Sequence, residues 1–185
     1  PWAILLPLGL LLAVACGGAA TTIQSTGGGS TASASSNASL AHTFTLPLYN
    51  GAEFVGGSDT ITISDLKGKA LVLNFWAPLC PPCRAEMPEF QAFWEEIQGQ
   101  DVLIIGVDVG SFTGLGNRDQ AIDFLHQINI TYPTGQALSS QVISDYGVFG
   151  MPTTVVITKE GRVAQTWVGA INGEKLSELT LEILQ

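Results

Sequence analysis

Ala70–Trp76 (ALVLNFW) is a run of β-forming residues with little polar alternation, as in a strand buried on both faces. A few residues later Cys80-Pro81-Pro82-Cys83 opens a stretch whose Met87, Phe90, Trp94 and Ile97 fall on one helical face. A strand that delivers a CxxC to the start of a helix leaves few choices of chemistry. Unsatisfied N–H groups and the positive end of the dipole at that helix start favour a thiolate. Cys80, at the exposed lip, is the candidate nucleophile, and Cys83, one turn on and facing inward, the resolving thiol. Two other readings stand beside this one. A structural bridge would close a very small loop, and a zinc clip would need two further ligands that Cys16, His42 and His126 do not supply. No metal is therefore expected.

The elements around this centre alternate. Thr43–Leu48 reads as a short strand before a Gly-rich turn, and Thr60–Ile63 as a second strand followed by one helical turn. Val102–Val107 (VLIIGV) is another buried strand. Asn117 can cap a helix to about Ile128, with Ala121, Ile122, Phe124, Leu125 and Ile128 as its apolar stripe. Gln141–Tyr146 is a short helix. Thr153–Thr158 and Arg162–Val168 are strands joined by the Lys159-Glu160-Gly161 turn, and Gly173–Leu184 is a closing amphipathic helix. This order implies an α/β fold with a central mixed β-sheet flanked by helices and an N-terminal strand extension.

The first quarter of the chain differs in kind. No Asp, Glu, Lys or Arg precedes Glu53. Trp2–Ala15 is almost wholly apolar, short for a spanning helix but suited to the core of a secretory signal. The chain opens at Pro1 without a basic leader, so a truncated signal is expected. Cys16 directly follows Ala13-Val14-Ala15, as in a bacterial lipobox, although Ala13 stands where Leu is preferred; ordinary signal cleavage would cut the same bond. Residues 1–16 thus read as a signal with Cys16 as a lipidation site. Residues 17–41, rich in Gly, Ser, Thr and Ala, read as a disordered linker with a reach of roughly 25–30 Å. The folded domain is expected over 42–185. Hydrophobic residues make up 46 % of the chain, enough for a core, and a net charge of −9 argues against a nucleic-acid partner.

Asn74–Phe90 (NFWAPLCPPCRAEMPEF) resembles the active-site segment of thioredoxin-like proteins of the TlpA/ResA type, membrane-tethered bacterial reductases that act outside the cytoplasm. Tyr146–Val163 (YGVFGMPTTVVITKEGRV) matches independently, with Met151-Pro152 where the family carries its cis-proline loop. The resemblance implies a thioredoxin fold from about His42 onward. It implies that Pro152 is cis and faces the CxxC, that the Met151 main chain pairs with an extended substrate, and that Glu86 is an acidic residue near the thiols able to take a proton from Cys83. A solvated first-turn carboxylate is the plainer account of Glu86. Trp76 is expected to wall the disulfide, and Pro81 and Pro82 to line its approach. No cofactor is implied beyond the Cys80–Cys83 disulfide itself.

Three departures stand out. Asn74 occupies the position of the buried Asp of thioredoxin, Leu79 that of the usual Trp, and Pro81 with Pro82 removes two N–H donors near the Cys80 sulfur. The last change is expected to make the pair more reducing than a CxHC oxidase. The resemblance implies exported protein disulfides as partners, apocytochrome c among them, with a membrane thiol donor and attachment through an N-terminal lipid or anchor. Secretion as a soluble protein is the alternative. Two other functions are open: a peroxiredoxin, although Ala77 stands where its motif has Thr, and a non-catalytic tethered module such as a copper chaperone, although neither histidine is an obvious ligand.

Overall fold

A computed structural model of the chain describes residues 38–184. The expected signal, the expected lipidation site at Cys16 and most of the expected linker lie outside the described residues.

Seven strands form one mixed sheet in the order β2-β1-β5-β4-β3-β6-β7. The centre is β3 (Ala70–Trp76), parallel to β4 (Val102–Asp108) and antiparallel to β6 (Thr153–Ile157). All three are buried at every position, which explains their lack of polar alternation. β7 (Val163–Val168) pairs antiparallel with β6 and is mostly exposed. At the other edge β1 (Thr45–Asn50) and β2 (Thr60–Thr62) form the N-terminal extension.

Helices cover both faces. α1 (Pro81–Ile97) and α3 (Arg118–Gln127) lie over the face to which Asn74 and Trp76 point, since Asn74 bonds Glu86 of α1 and the Trp76 ring lies 5.9 Å from Phe124 of α3. α5 (Gly173–Leu181) packs beside α1. On the opposite face Phe75 meets Tyr146, just after α4 (Gln141–Asp145), with ring centroids 5.3 Å apart. α3 begins where its sequence says it should: Asn117 accepts from the Gln120 N–H and Gln120 accepts in return from the Asn117 N–H.

Three features were not expected. β5 (Thr134–Gln136) has only three residues around a glycine, and it joins the extension to the core by pairing antiparallel with β1 and parallel with β4. A side chain at Gly135 would come within 2.2 Å of the Pro47 carbonyl oxygen, so glycine here is what lets the strands approach. A single helical turn, α2 (Gly110–Thr113), follows β4. Finally, the expected boundary at His42 falls inside the ordered domain. Leu40 bridges Arg162 in antiparallel fashion, Ser39 accepts from the Val163 N–H, and the Ala41 N–H donates to Gly161. Arg162 also reaches the Ala38 carbonyl. Backbone pairing with the hairpin orders these residues where side-chain composition alone would not.

Candidate active site

β3 ends at Trp76, and Ala77–Leu79 carry the chain to the start of α1. Cys80 is the N-cap: its backbone is extended, and the two prolines that follow occupy first-turn positions where no N–H is needed. Cys80 and Cys83 form a disulfide with their Cα atoms 5.3 Å apart. The Cys83 N–H points at the Cys80 sulfur, 3.4 Å away, so one orphan donor of the helix start is aimed at the atom that would carry thiolate charge. Cys80 is less open than an exposed lip: it is 3 % exposed and Cys83 is fully buried, while Leu79, Pro81 and Pro82 form the exposed surface around them. Capping turns the Cys80 side chain back over the first turn, which covers it.

Glu86, three residues after Cys83 on α1, is buried to 2 % exposure. Its Oε1 accepts from Asn74 Nδ2 at 2.7 Å, and its Oε2 accepts from the Ile171 N–H at 3.1 Å. The plainer account of Glu86 as a solvated helix-start carboxylate does not fit this burial. Desolvation pushes its carboxyl up to about 7, against the downward pull of those two hydrogen bonds. Tyr132, fully buried nearby, has its hydroxyl pushed up by burial first and by the Glu86 charge second. Glu86 is among the residues lining an open cleft of about 600 Å³, with Glu89, Trp167, Ile171 and Lys175.

The Met151–Pro152 bond is cis. The β3–β6 register pairs Phe75 with Thr153, so Pro152 lies at the end of the sheet from which Cys80 emerges. Pro152 is buried, Met151 half-buried, and the neighbouring Phe149 stands almost fully in solvent. Trp76 is fully buried, its ring 5.9 Å from that of Phe124. The two cysteines, Glu86, Trp76 and the Met151–Pro152 loop thus gather at one end of β3.

Two interactions at this end could not be read from the sequence. Ile171 takes part through its main chain, which no residue type announces. Asn74 stood out as a departure from thioredoxin, but its bond to Glu86, twelve positions away on another element, could not be read from spacing. Among the described residues no cluster of metal-ligating side chains occurs.

Residues 38–166 match the model of the AhpC/TSA family. The chain is 32 % identical over 124 residues to the thiol-disulfide oxidoreductase ResA of Bacillus thuringiensis, covering 66 % of this chain and 68 % of that one. It is 28 % identical over 116 residues to the sporulation thiol-disulfide oxidoreductase A of Bacillus subtilis, covering 63 % and 69 %. The match to ResA of Oceanobacillus iheyensis, at 33 % identity, covers 63 % of this chain and only 58 % of that protein's length. Among solved structures, a thiol:disulfide interchange protein DsbE from Chlorobium tepidum aligns with a TM-score of 0.66 at 27 % identity, over 80 % of this chain and 97 % of that one. The exposed lipoprotein thioredoxin of Streptococcus pneumoniae aligns at 0.60 with 28 % identity, over 75 % and 98 %. The chain belongs to the AhpC/TSA family and, within it, to the thioredoxin-like thiol–disulfide oxidoreductases.

Proposed function

We propose that the chain is an extracytoplasmic reductase of protein disulfides. The observation that carries this reading is the Cys80–Cys83 disulfide at the cap of α1, with the Cys83 N–H directed at the Cys80 sulfur. In the reduced protein the Cys80 thiolate attacks one sulfur of a substrate disulfide, and the other substrate sulfur leaves as a thiolate. Cys83 then gives its proton to Glu86 and attacks Cys80. The Cys80–substrate bond breaks, the second substrate thiolate leaves, and the Cys80–Cys83 disulfide remains. Two electrons have passed from the dithiol to the substrate. A thiol donor on the membrane restores the dithiol. The main chain at Met151 would align the substrate as an added strand beside Pro152, and the cleft beside Glu86 would take side chains that flank the substrate cysteine.

Anchoring through a lipidated Cys16 is part of the proposal. The lipobox-like segment supports it, as does the similarity to a pneumococcal thioredoxin described as an exposed lipoprotein. Apocytochrome c, which presents a CxxCH pair before haem attachment, is the proposed substrate class.

Insulin reduction tests the chemistry. Cys80→Ala is expected to abolish it, and Cys83→Ala to accumulate a mixed disulfide on Cys80, whose captured partner identifies the pathway. Undiminished reduction by Cys80→Ala, or peroxide consumption that outruns insulin reduction in the parent protein, would refute the assignment.

A further inference from the structure

Asp108 is a buried carboxylate that the disulfide chemistry above leaves without a task. It is the last residue of β4, 1 % exposed, and the register partner of Trp76 on β3. Its Oδ2 accepts from the Tyr49 hydroxyl at 2.8 Å, and its Oδ1 accepts from the Gly110 N–H, also at 2.8 Å. Neither of the ion pairs among the described residues includes it. Burial raises its carboxyl, so the carboxylate is kept at some cost and only these two donors offset it.

What Asp108 holds is the segment from Gly110 to Asn117, and that segment grips the residues just before Cys80. The Leu79 N–H donates to the Leu115 carbonyl at 2.9 Å. A side chain at Gly110 would come within 2.8 Å of Pro78 Cδ, and one at Gly116 within 2.4 Å of Pro78 Cγ, so both glycines lie hard against that proline. The Cys80 N–H in turn donates to Ala77 at 3.1 Å. Tyr49 comes from β1, so the clasp also reaches the N-terminal extension, where Arg118 lies 4.8 Å from the Tyr49 ring.

We propose that Asp108 is a positioning residue for the disulfide: by pinning Gly110 to Tyr49 it fixes the clasp on Pro78 and Leu79, and so holds Cys80 where the start of α1 can stabilise its thiolate. The proposal rests on Cys80 being the attacking thiol. It assigns the effect to two accepted hydrogen bonds rather than to charge. An amide can replace the carboxylate in that role, its oxygen accepting from Gly110 and its nitrogen donating to a Tyr49 hydroxyl that turns to accept.

The test is the rate of iodoacetamide alkylation at Cys80 in the reduced full chain, read on the Cys80 peptide by mass spectrometry, as a function of pH. Asp108→Ala is expected to slow alkylation at pH 7 by about tenfold, equivalent to one unit in the thiol pKa. Tyr49→Phe, which keeps the Gly110 bond, should show a smaller slowing, and it carries the test if Asp108→Ala fails to fold. Asp108→Asn should alkylate at close to the parental rate. Asn50→Ala is the control for lost stability alone, since it removes a bond of similar kind on the same strand, to the Ile130 carbonyl at 2.6 Å. A parental rate in Asp108→Ala or Tyr49→Phe, an equal slowing in Asn50→Ala, or an Asn variant as slow as Ala would each overturn the proposal. Preferential alkylation of Cys83 in the parent would instead overturn the assignment of Cys80 as nucleophile.

Discussion

Burial of Glu86 lifts its carboxyl from 4.5 to about 7, and the sign of that shift decides what pH does to the protein. Between those values the folded chain holds a proton that the unfolded chain has released. Stability is therefore lost as pH rises from about 4.5 to about 7, and changes little further above that through this group. The full loss is about 3 kcal/mol. Glu86→Gln removes the titration, so denaturant unfolding at pH 4 and pH 8 should show the variant gaining by that amount relative to the parent across the interval. Any constant offset from mispaired amides leaves this difference intact. The same variant should slow disulfide resolution by about 10² at pH 7, the lower end of what proton transfer contributes. A second expectation concerns Pro82. Its replacement by His should raise the reduction potential by tens of mV, towards the strongly oxidising end near about −120 mV, as measured against a glutathione buffer. Cys80 and Cys83 were legible in the sequence because their fixed short spacing announces them, and Pro152 through the resemblance of its segment to a known family. Glu86 was legible as a candidate, but its burial was not, because that depends on α5 and on the loop that brings Ile171 over it.

The central strands and α1 announced themselves through apolar runs and a helical stripe, and α3 through its cap; the structure has all of them within a residue or two. β5 did not, because a three-residue strand with a glycine at its centre has no pattern to read. Its existence is owed to its neighbours: Gly135 fits beneath Pro47, and Thr134 packs against Gly106, where a side chain would meet Thr134 at 2.8 Å. Gly135→Ala should therefore act locally. The added methyl forces β1 away from β5, and amide hydrogen exchange in β1 and β2 should accelerate while β3, β4 and β6 keep their protection. Equal acceleration throughout the sheet would mean that the extension and the core unfold as one unit.

For the whole molecule, the place where the domain begins has energetic content. A chain started at His42 lacks the main-chain bonds that Ser39 and Ala41 make with the β6–β7 hairpin and the contact of Arg162 with Ala38. At about 1 kcal/mol for each of roughly two effective bonds, its melting temperature should lie about 4–8 °C below that of a chain started at residue 38. Insulin reduction at 25 °C should be unchanged, because none of the lost contacts reaches the end of β3 that carries Cys80.

The antiparallel bridge from Leu40 to Arg162, with the Tyr146 hydroxyl bonded to the His42 carbonyl just beyond it, also determines how the protein bears a load. A pull applied to the chain ahead of Ala38 is taken up first by the β6–β7 hairpin and by Tyr146. The strand that delivers Cys80 lies one step further in, paired with β6 and packed on Tyr146 through Phe75. A pull there therefore reaches the end of β3 that carries Cys80 only by way of β6 and the Phe75–Tyr146 contact.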